Sequence, residues 1–404
     1  MNDDLASLKT RFEPKEAKQL KLDRQMNAAR FTACGKYLLA AGHDGLVRRF
    51  DAAADEMPEL KPLTGHGGWV QALALPKQRD QAQVVDPADQ VVYSVDSWGQ
   101  LRCGSFVDEA AAPRWANKAA HDGWILDVTL SPNGKLLATC GIDRAVRVWS
   151  TADGSKLHEF SVPDRETLSV IFAPDDGSIL AGDLSGKVRQ WELASGKLTR
   201  EFDATSLHKA DRLQEIGGAR QLLFVEVPRA EGQGASDKSK DGSPSADASS
   251  PSLAPPPSPL PPSYKLLCAG TKPKNGGNVQ GLPTVLVFDW TSGLLENSIE
   301  LGKEGDVYVT DLAFHPAGFL MATVSGNPGA GKLVFRRLED DAAFFETTKM
   351  PNCHSLTLHP SHQKFAVVAT NGGSNGNGRN LAKDGSYPGN FSPIHVWTLP
   401  APVA

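Results

Sequence analysis

The stretch SGNPGAGKLVF, residues 325–335, carries the spacing of a phosphate-binding loop. From Gly326 it reads G-x-x-x-x-G-K, with Gly331 and Lys332 in place, and such loops hold nucleotide phosphates with backbone amides and the lysine. Leu333, however, stands where the motif needs a hydroxyl for magnesium. The residues that follow, KLVFRRL, are apolar and β-branched, which predicts a strand and not the helix whose N-terminus would bind phosphate. The sequence therefore predicts a turn between strands, without a nucleotide site.

The cysteines are a second set of side chains that could do chemistry. They lie far apart without C-x-x-C pairs, and most stand in or beside apolar, strand-like runs: Cys34, Cys103, Cys140, Cys268 and Cys353. Thiols in such runs usually pack as small hydrophobic groups. We expect buried thiols, and neither a metal nor a cofactor.

The composition is that of an ordinary globular chain, with 404 residues, 40% hydrophobic and 22% charged. Its formal net charge of −5 lacks the concentrated positive field that attracts nucleic acid or anionic membranes. The sequence contains no run of about 18 apolar residues, the length that a membrane-spanning helix needs. We expect no nucleic-acid or membrane partner. The charged N-terminus without an apolar signal segment favours a cytoplasmic location, and we expect a monomer when the chain is alone.

A repeated unit of short strands runs through the chain. Its clearest copy, residues 121–150, has two apolar runs around the turn SPNG and a third after the turn GIDR, which is typical of an antiparallel meander. The next copy has the same layout and places Trp191 42 residues after Trp149, within the period of about 40–45 residues of propeller blades. Two copies precede this pair and three follow it, which makes seven.

The repeat resembles the WD-repeat family over essentially the whole chain, 1–404. The resemblance implies a single all-β domain, a seven-bladed β-propeller of four-stranded antiparallel blades. It also implies a buried hydrogen-bond tetrad, which the third copy carries in full as His121, Thr139, Asp143 and Trp149. A core tolerates such polar groups only if they bond one another.

Other copies depart from this tetrad. The first keeps Asp44 but has Phe50 in place of the Trp, the second keeps His66 but has Gly104 there, and the fourth has Ser185 for the Asp. Apolar alternation persists in every copy, so these losses concern each blade's tetrad and not the architecture.

The two ends of the chain and one long insertion complete the domain organisation. The last copy has room for three strands, and the resemblance implies that the N-terminal KEAKQLKLD, residues 15–23, adds its outermost strand. Residues 229–263 contain eight prolines and no aromatic residue, which predicts a disordered insertion in a hairpin of blade five. It is either an inert spacer or a polyproline ligand. A shorter insertion, 76–90, falls in the same turn of blade two.

Long loops rich in Gly and Asn follow the second strands of blades five, six and seven. In the WD-repeat fold these turns share one rim, called the top, with the loop that leads into each blade. Asn donates and accepts hydrogen bonds, and Gly lets backbone approach a ligand closely. Five asparagines of these loops are candidate binding residues: Asn275, Asn278, Asn327, Asn375 and Asn377. The alternative is that the loops are flexible connectors without a binding role.

Three tryptophans stand where the same rim is expected. Trp69 and Trp124 occur in GHGGW and HDGW, ahead of first strands, and Trp98 occurs in the turn DSWG of blade two. Because they belong to adjacent blades, we expect them to cluster. They are either exposed anchors for a partner or lids packed over the blade tips.

The innermost strands carry two carboxylates at register-equivalent positions, Asp127 and Asp311, in blades nearly opposite around the ring. His354 and Asn352, in PNCHS, lie near the same rim. These are the best candidates for acid–base or metal chemistry at the mouth of the central channel. They are too sparse for a metal cage, and none is an activated group with a partner.

We therefore expect a non-catalytic scaffold that binds a protein or peptide at its top rim. The three tryptophans would act as anchors, and the rim asparagines and the channel-mouth residues would supply polar contacts. The alternative is an enzyme that uses Asp127, Asp311 and His354 at the channel mouth. Fold alone does not decide between them.

Overall fold

The computed structural model describes residues 4–76, 90–110, 112–162, 165–210, 215–227, 262–274, 280–326, 331–370 and 392–400. In this part of the chain, seven antiparallel four-stranded sheets, blades one to seven, follow one another. The innermost strand of each blade contacts that of the next, and the innermost strand of blade seven contacts that of blade one. The blades therefore close a ring, which confirms the predicted seven-bladed β-propeller.

The strands of the first four blades follow each other simply along the chain. After α1 (Leu5–Phe12) and β1 (Lys15–Leu22), blade one contains β2 (Met26–Phe31), β3 (Tyr37–Gly42), β4 (Val47–Asp51) and β5 (Glu59–Leu63). Blade two contains β6 (Val70–Ala74), β7 (Val91–Asp96), β8 (Leu101–Ser105) and β9 (Trp115–Asn117). Blade three contains β10 (Ile125–Leu130), β11 (Leu136–Gly141), β12 (Ala145–Ser150) and β13 (Lys156–Ser161). Blade four contains β14 (Thr167–Phe172), β15 (Ser178–Asp183), β16 (Lys187–Glu192) and β17 (Leu198–Asp203).

The second half of the ring begins after a small hairpin of β18 (His208–Ala210) and β19 (Glu215–Gly217). Blade five contains β20 (Gln221–Val227), β21 (Ser263–Pro273), β22 (Gly281–Asp289) and β23 (Leu295–Glu300). Blade six contains β24 (Tyr308–His315), β25 (Phe319–Ser325), β26 (Gly331–Arg336) and β27 (Phe345–Thr347). Blade seven contains β28 (Ser355–Leu358), β29 (Lys364–Val368) and β30 (Ser392–Thr398), with β1 at its outer edge.

The core is divided among the blade-to-blade interfaces. The second strands are buried along nearly their whole length, as in β7, β11 and β15, because both faces of each sheet meet a neighbouring sheet. Seven apolar clusters result, and each is made of residues from two adjacent blades. Each blade thus covers apolar surface of its neighbours, so that the blades depend on each other for burial.

The start of the chain closes the ring. β1 pairs antiparallel with β30, with Leu20 opposite Ile394, and Glu16 lies 2.7 Å from Nδ1 of His395. This confirms the expectation for residues 15–23. Pairing from the first strand covers the edge of β30, which would otherwise present unpaired backbone groups.

Three elements were not predicted: a helix, a 3₁₀ turn and the β18–β19 hairpin. The helix α1 is capped by Asp4, whose carboxylate accepts a hydrogen bond from the Ser7 amide, and it buries Leu8 against blades six and seven. The ring of Phe12 lies 4.9 Å from that of Phe319. A 3₁₀ turn, Thr205–Leu207, leads into the β18–β19 hairpin at the connection between blades four and five.

The interruptions of the repeat lie where the sequence places them. Of the insertion 229–263, the structure describes residues 262 and 263, and the segment joins β20 to β21 in blade five. The remainder of that insertion lies outside the described residues. Gly331 and Lys332 begin the strand β26, and Lys332 pairs with Asp306 at 3.3 Å. The resemblance to a phosphate loop is therefore coincidental.

Candidate functional site: top rim and channel

Turns and leading loops interlock along the top rim. Gly99, in the turn between β7 and β8, has φ of 81°, and a Cβ on it would lie 2.1 Å from the carbonyl oxygen of His121. His121 belongs to the loop that leads into blade three. The turn of blade two is therefore pressed onto the loop of blade three, which only glycine permits at this position.

In blade three, the four side chains of the expected tetrad form one hydrogen-bonded chain. His121 Nε2 lies 2.7 Å from the hydroxyl of Thr139, which accepts a hydrogen bond from Trp149 Nε1 at 2.9 Å. His121 Nδ1 lies 2.9 Å from Asp143, and Arg147 donates to the same carboxylate. Burial opposes ionisation of Asp143, but the bonds from His121 and Arg147 outweigh it and hold its pKa well below the usual range. The group stabilises the blade tip.

Blade two builds a related chain with a different carboxylate. Trp98 occupies the turn position equivalent to Asp143, and Asp96, two residues earlier, lies 2.9 Å from Nδ1 of His66. The hydroxyl of Ser94 lies 2.7 Å from Nε2 of the same ring. Asp96, at the end of β7, thus bonds His66 in place of a carboxylate in the turn, and the turn position holds the exposed Trp98.

An exposed apolar surface, the aromatic patch, consists of His43, Trp69, Trp98, Trp124 and Ile142 on blades one to three. Trp69 and Trp124 meet edge to face with ring centres 5.5 Å apart, and His43 stacks on Trp69 at 4.3 Å. The exposed fractions of Trp69, Trp98 and Trp124 are 43%, 70% and 39%. Each of the three rings thus keeps more than a third of its surface exposed.

Glycines beneath the patch hold two of its members in place. The ring of Trp98 lies over Gly67, where a Cβ would approach it to 2.7 Å, and a Cβ on Gly123 would lie 2.9 Å from the side chain of Ile142. The Trp69 amide donates to the hydroxyl of Ser97 at 3.0 Å. The patch is thus carried on turns that are fixed by packing and hydrogen bonds.

Polar side chains of the innermost strands link successive blades around the channel. Asp127 accepts from the Val170 amide of blade four at 3.0 Å, and Asp311 accepts from the Leu356 amide of blade seven at 2.9 Å. Four more residues make equivalent bonds to the following blade: Asn27, Ser169, Gln221 and Ser355. We call these six residues the inter-blade belt.

The carboxylates of the belt are thereby engaged in holding the ring. Both oxygens of Asp127 accept backbone hydrogen bonds, and burial raises its pKa to about 6. Asp311 also accepts from Arg30, which reaches across blade seven at 3.2 Å. The two carboxylates thus occupy the predicted positions at the channel wall, where their hydrogen bonds join blades.

His354 bridges blade seven to blade one. Its Nδ1 lies 2.7 Å from the carbonyl oxygen of Asn352, and its Nε2 lies 2.6 Å from that of Met26. Burial lowers the pKa of His354. Since both ring nitrogens face backbone carbonyls, neither is directed at a ligand in the channel mouth. Asn352 adopts a left-handed backbone with φ of 49° at this turn.

The remaining candidates are the loop asparagines, which lie outside the described residues, and the cysteines. Asn275, Asn278, Asn327, Asn375 and Asn377 lie outside the described residues. Four of the five cysteines are buried, and Cys34 is half-buried. Burial raises the pKa of Cys103 and of Cys353 to about 11, which keeps both as thiols at neutral pH.

Two features are absent from the described part of the chain. No group of three or more His, Cys, Asp or Glu side chains in it is arranged to hold a metal ion. Within the same residues, no helix combines the length and apolar character needed to cross a bilayer.

Comparison with known proteins gives matches to repeat proteins. The profile of the WD domain, G-beta repeat, matches residues 116–150, which include most of blade three. Protein tipD of Dictyostelium discoideum is 25% identical over 49% of this chain and 31% of its own length. The periodic tryptophan protein 2 homolog of Schizosaccharomyces pombe is 26% identical over 27% of this chain and 14% of its own length.

A third relative, the small ribosomal subunit protein RACK1z of Arabidopsis thaliana, is 28% identical over 26% of this chain and 33% of its own length. The chain thus spans a third or less of each of these relatives. The profile match covers one blade, and the structure repeats that blade's four-stranded design around a closed ring. This chain is a seven-bladed β-propeller, and residues 116–150, which include most of its third blade, match the WD-repeat profile.

Proposed function

We propose that this propeller is a non-catalytic platform that binds a protein or peptide on its top rim. The observation that supports this most directly is the aromatic patch, in which three tryptophans are more than a third exposed on adjacent blades. Clustered exposed apolar side chains on a soluble protein commonly mark an interaction surface. Tryptophan is also enriched among the residues that dominate binding energy.

The rigidity of the rim supports the same proposal. Turns locked by Gly99 and by the chain of His66, Ser94 and Asp96 hold the rings before a partner arrives. Prior ordering reduces the entropy lost on binding. The asparagine loops of blades five to seven are proposed as adaptable polar contacts on the same rim. One relative is named a small ribosomal subunit protein, which agrees with a role inside an assembly.

The enzymatic alternative finds less support. Asp127, Asp311 and His354 are engaged in bonds between blades. General acid–base catalysis needs a titratable group within hydrogen-bond reach of the substrate. A role for the Pro/Ser-rich insertion as the binding element remains a separate hypothesis, and replacing 229–261 by a short Gly-Ser turn tests it through partner recovery.

The test compares tagged full-length chains by quantitative affinity purification. The variant carries Trp69→Ala, Trp98→Ala and Trp124→Ala. The matched control carries Leu198→Ala, Leu294→Ala and Leu295→Ala, which removes three exposed apolar side chains from other strands and turns. We expect the tryptophan variant to lose partners that the control retains. Identical partner lists for the wild type and the tryptophan variant would contradict the proposal.

A further inference from the structure

Arg220 is a half-buried cation at the top of the channel. It directly precedes β20, and its amide donates to the carbonyl of Ala269 at 2.9 Å. Its side chain crosses to blade six, where the guanidinium carbon lies 4.6 Å from the ring centre of Tyr308. Nε is buried without a hydrogen-bond partner, and no described carboxylate forms an ion pair with this side chain.

Three other arginines of the propeller have acidic partners. Arg30 donates to Asp311 and Ser355, Arg147 is bound to Asp143, and Arg189 is bound to Asp183 at 2.6 Å. A desolvated charge without a counter-charge is unfavourable. The contact with Tyr308 compensates only in part, because cation–π pairs contribute about 0.5–2 kcal/mol. Arg220 is therefore a group whose best partner is absent from the described chain.

The backbone around Arg220 is fixed on both sides. The preceding carbonyl, of Ala219, accepts from the Ser169 hydroxyl of blade four at 2.7 Å. The following side chain, Gln221, donates to the carbonyl of Thr310 in blade six at 3.0 Å. The backbone that carries Arg220 is thus held on both sides, and its guanidinium lies over an aromatic ring. A guanidinium in this position can still bind a planar anion through its terminal N–H groups.

Two other basic side chains on this half of the rim have acidic partners among the described residues. Arg165 pairs with Glu215 at 2.8 Å, and Lys332 pairs with Asp306. Arg220 thus carries one positive charge with no counter-charge among the described residues, and one such charge matches a monoanion. A carboxylate fits best, since two parallel N–H groups of a guanidinium bind its two oxygens. A phosphate dianion is usually met by a cluster of arginines.

We propose that Arg220, stacked on Tyr308, binds a carboxylate of the peptide whose apolar side chains occupy the aromatic patch. This inference rests on the proposed function and adds its ligand chemistry. The patch lies on blades one to three and Arg220 on blade five, so the peptide crosses the channel mouth. The carboxylate is supplied by an Asp or Glu side chain or by the peptide's C-terminus.

The test uses two displayed libraries of random 12-residue peptides against the immobilised full chain. One library has a free C-terminus, and in the other the C-terminus is fused to the display protein. We expect peptides that combine apolar residues with a carboxylate. Enrichment of Asp or Glu in both libraries identifies a side chain as its source, and enrichment in the free-terminus library alone identifies the C-terminal carboxylate.

Synthetic copies of the selected peptides then enter a double-mutant cycle. Arg220→Gln in the protein, or loss of the carboxylate in the peptide through Glu→Gln or C-terminal amidation, should each weaken binding about tenfold to a hundredfold. The two changes together should weaken it little further. Arg11→Gln is the matched control, since Arg11 also lies over an aromatic ring, at 5.3 Å from the centre of Phe12, but on α1. It should leave binding unchanged.

The outcomes separate the two proposals. Thermal melts of Arg220→Gln and of Tyr308→Leu report whether either variant is misfolded, and Tyr308→Leu should weaken binding through the loss of stacking. Selected peptides that need the three tryptophans but show no carboxylate preference, and bind Arg220→Gln normally, would overturn this inference and leave the platform intact. Failure of the wild-type chain to enrich any peptide would overturn both.

Discussion

Replacing Thr139 by Val removes the hydroxyl on which the tetrad of blade three converges, with almost no change of shape. That oxygen lies 2.7 Å from His121 Nε2 and accepts from Trp149 Nε1 at 2.9 Å. All three side chains are buried, so the variant leaves two polar partners without water or protein to bond. Each unsatisfied buried group costs about 1–3 kcal/mol, so two such groups predict a loss of about 2–6 kcal/mol in the free energy of unfolding.

Blade seven contains the reverse situation. Val367 has the same position in β29 as Thr139 has in β11. Each follows by two residues the residue opposite the tryptophan, which is Phe365 in blade seven and Leu137 in blade three. Nε1 of Trp397 is buried and has no hydrogen-bond partner among the described residues. Val367→Thr offers that group an acceptor, so the added hydroxyl should change stability by no more than about 1 kcal/mol, towards stabilisation.

The assay is urea unfolding followed by circular dichroism, together with hydrogen exchange of peptides within residues 121–150. Exchange is needed because a ring of this size need not unfold in a single two-state step. Thr139→Ser retains the hydroxyl and is the control, with an expected loss of about 1 kcal/mol for the missing methyl group. If Thr139→Val were no more destabilising than Thr139→Ser, the tetrad would not carry the energy assigned to it.

Three further predictions concern pH and ring closure. The folded pKa of Asp143 lies below the value of 3.8 expected when unfolded. Its contribution to the free energy of unfolding is therefore present above about pH 4 and is lost as the pH falls further. In thermal melts from pH 7 to 2, Asp143→Asn should lose less stability at acid pH than the wild type. Asp127 acts in the opposite direction, because its folded pKa is about 6 and its unfolded value is 3.8. Its contribution to the free energy of unfolding is complete below pH 3.8 and is lost as the pH rises through 6. Asp127→Asn should therefore remove this decrease in stability between pH 4 and 7, and an unchanged decrease would contradict the assignment. Deleting residues 1–22 removes β1 and exposes the edge of β30, which should lower the melting temperature and cause aggregation measurable by light scattering, whereas shortening 229–261 should do neither.

Much of the fold follows from local patterns of the sequence. The alternation of apolar residues and the turn residues repeat in every blade, and the tryptophan period sets their spacing. The closing strand was also predictable, since residues 15–23 alternate and have no other partner. The helix α1 was missed although its signals are present, because Asp4 caps it and its apolar residues Leu5, Leu8 and Phe12 recur at helical spacing.

The candidate site was less predictable because it depends on contacts between blades. Asp127 and Asp311 appear in the sequence as possible catalytic groups, and only the register of neighbouring strands shows that they accept backbone hydrogen bonds. In blade two, Asp96 supplies the carboxylate from two residues before the turn position that Trp98 occupies. The sequence shows this only as an Asp that precedes the expected position by two residues. Nothing in the sequence marks Arg220, because only the folded structure shows that no described carboxylate pairs with it.

The central claim is that the aromatic patch is the surface that meets a partner. Hydroxyl-radical footprinting of the tagged chain, free and in complexes isolated with it, tests this directly by measuring oxidation of each side chain. We expect Trp69, Trp98 and Trp124 to become protected on binding, while Leu294 and Leu295 stay as reactive as in the free chain. Protection of the leucines with unchanged oxidation of the three tryptophans would contradict it.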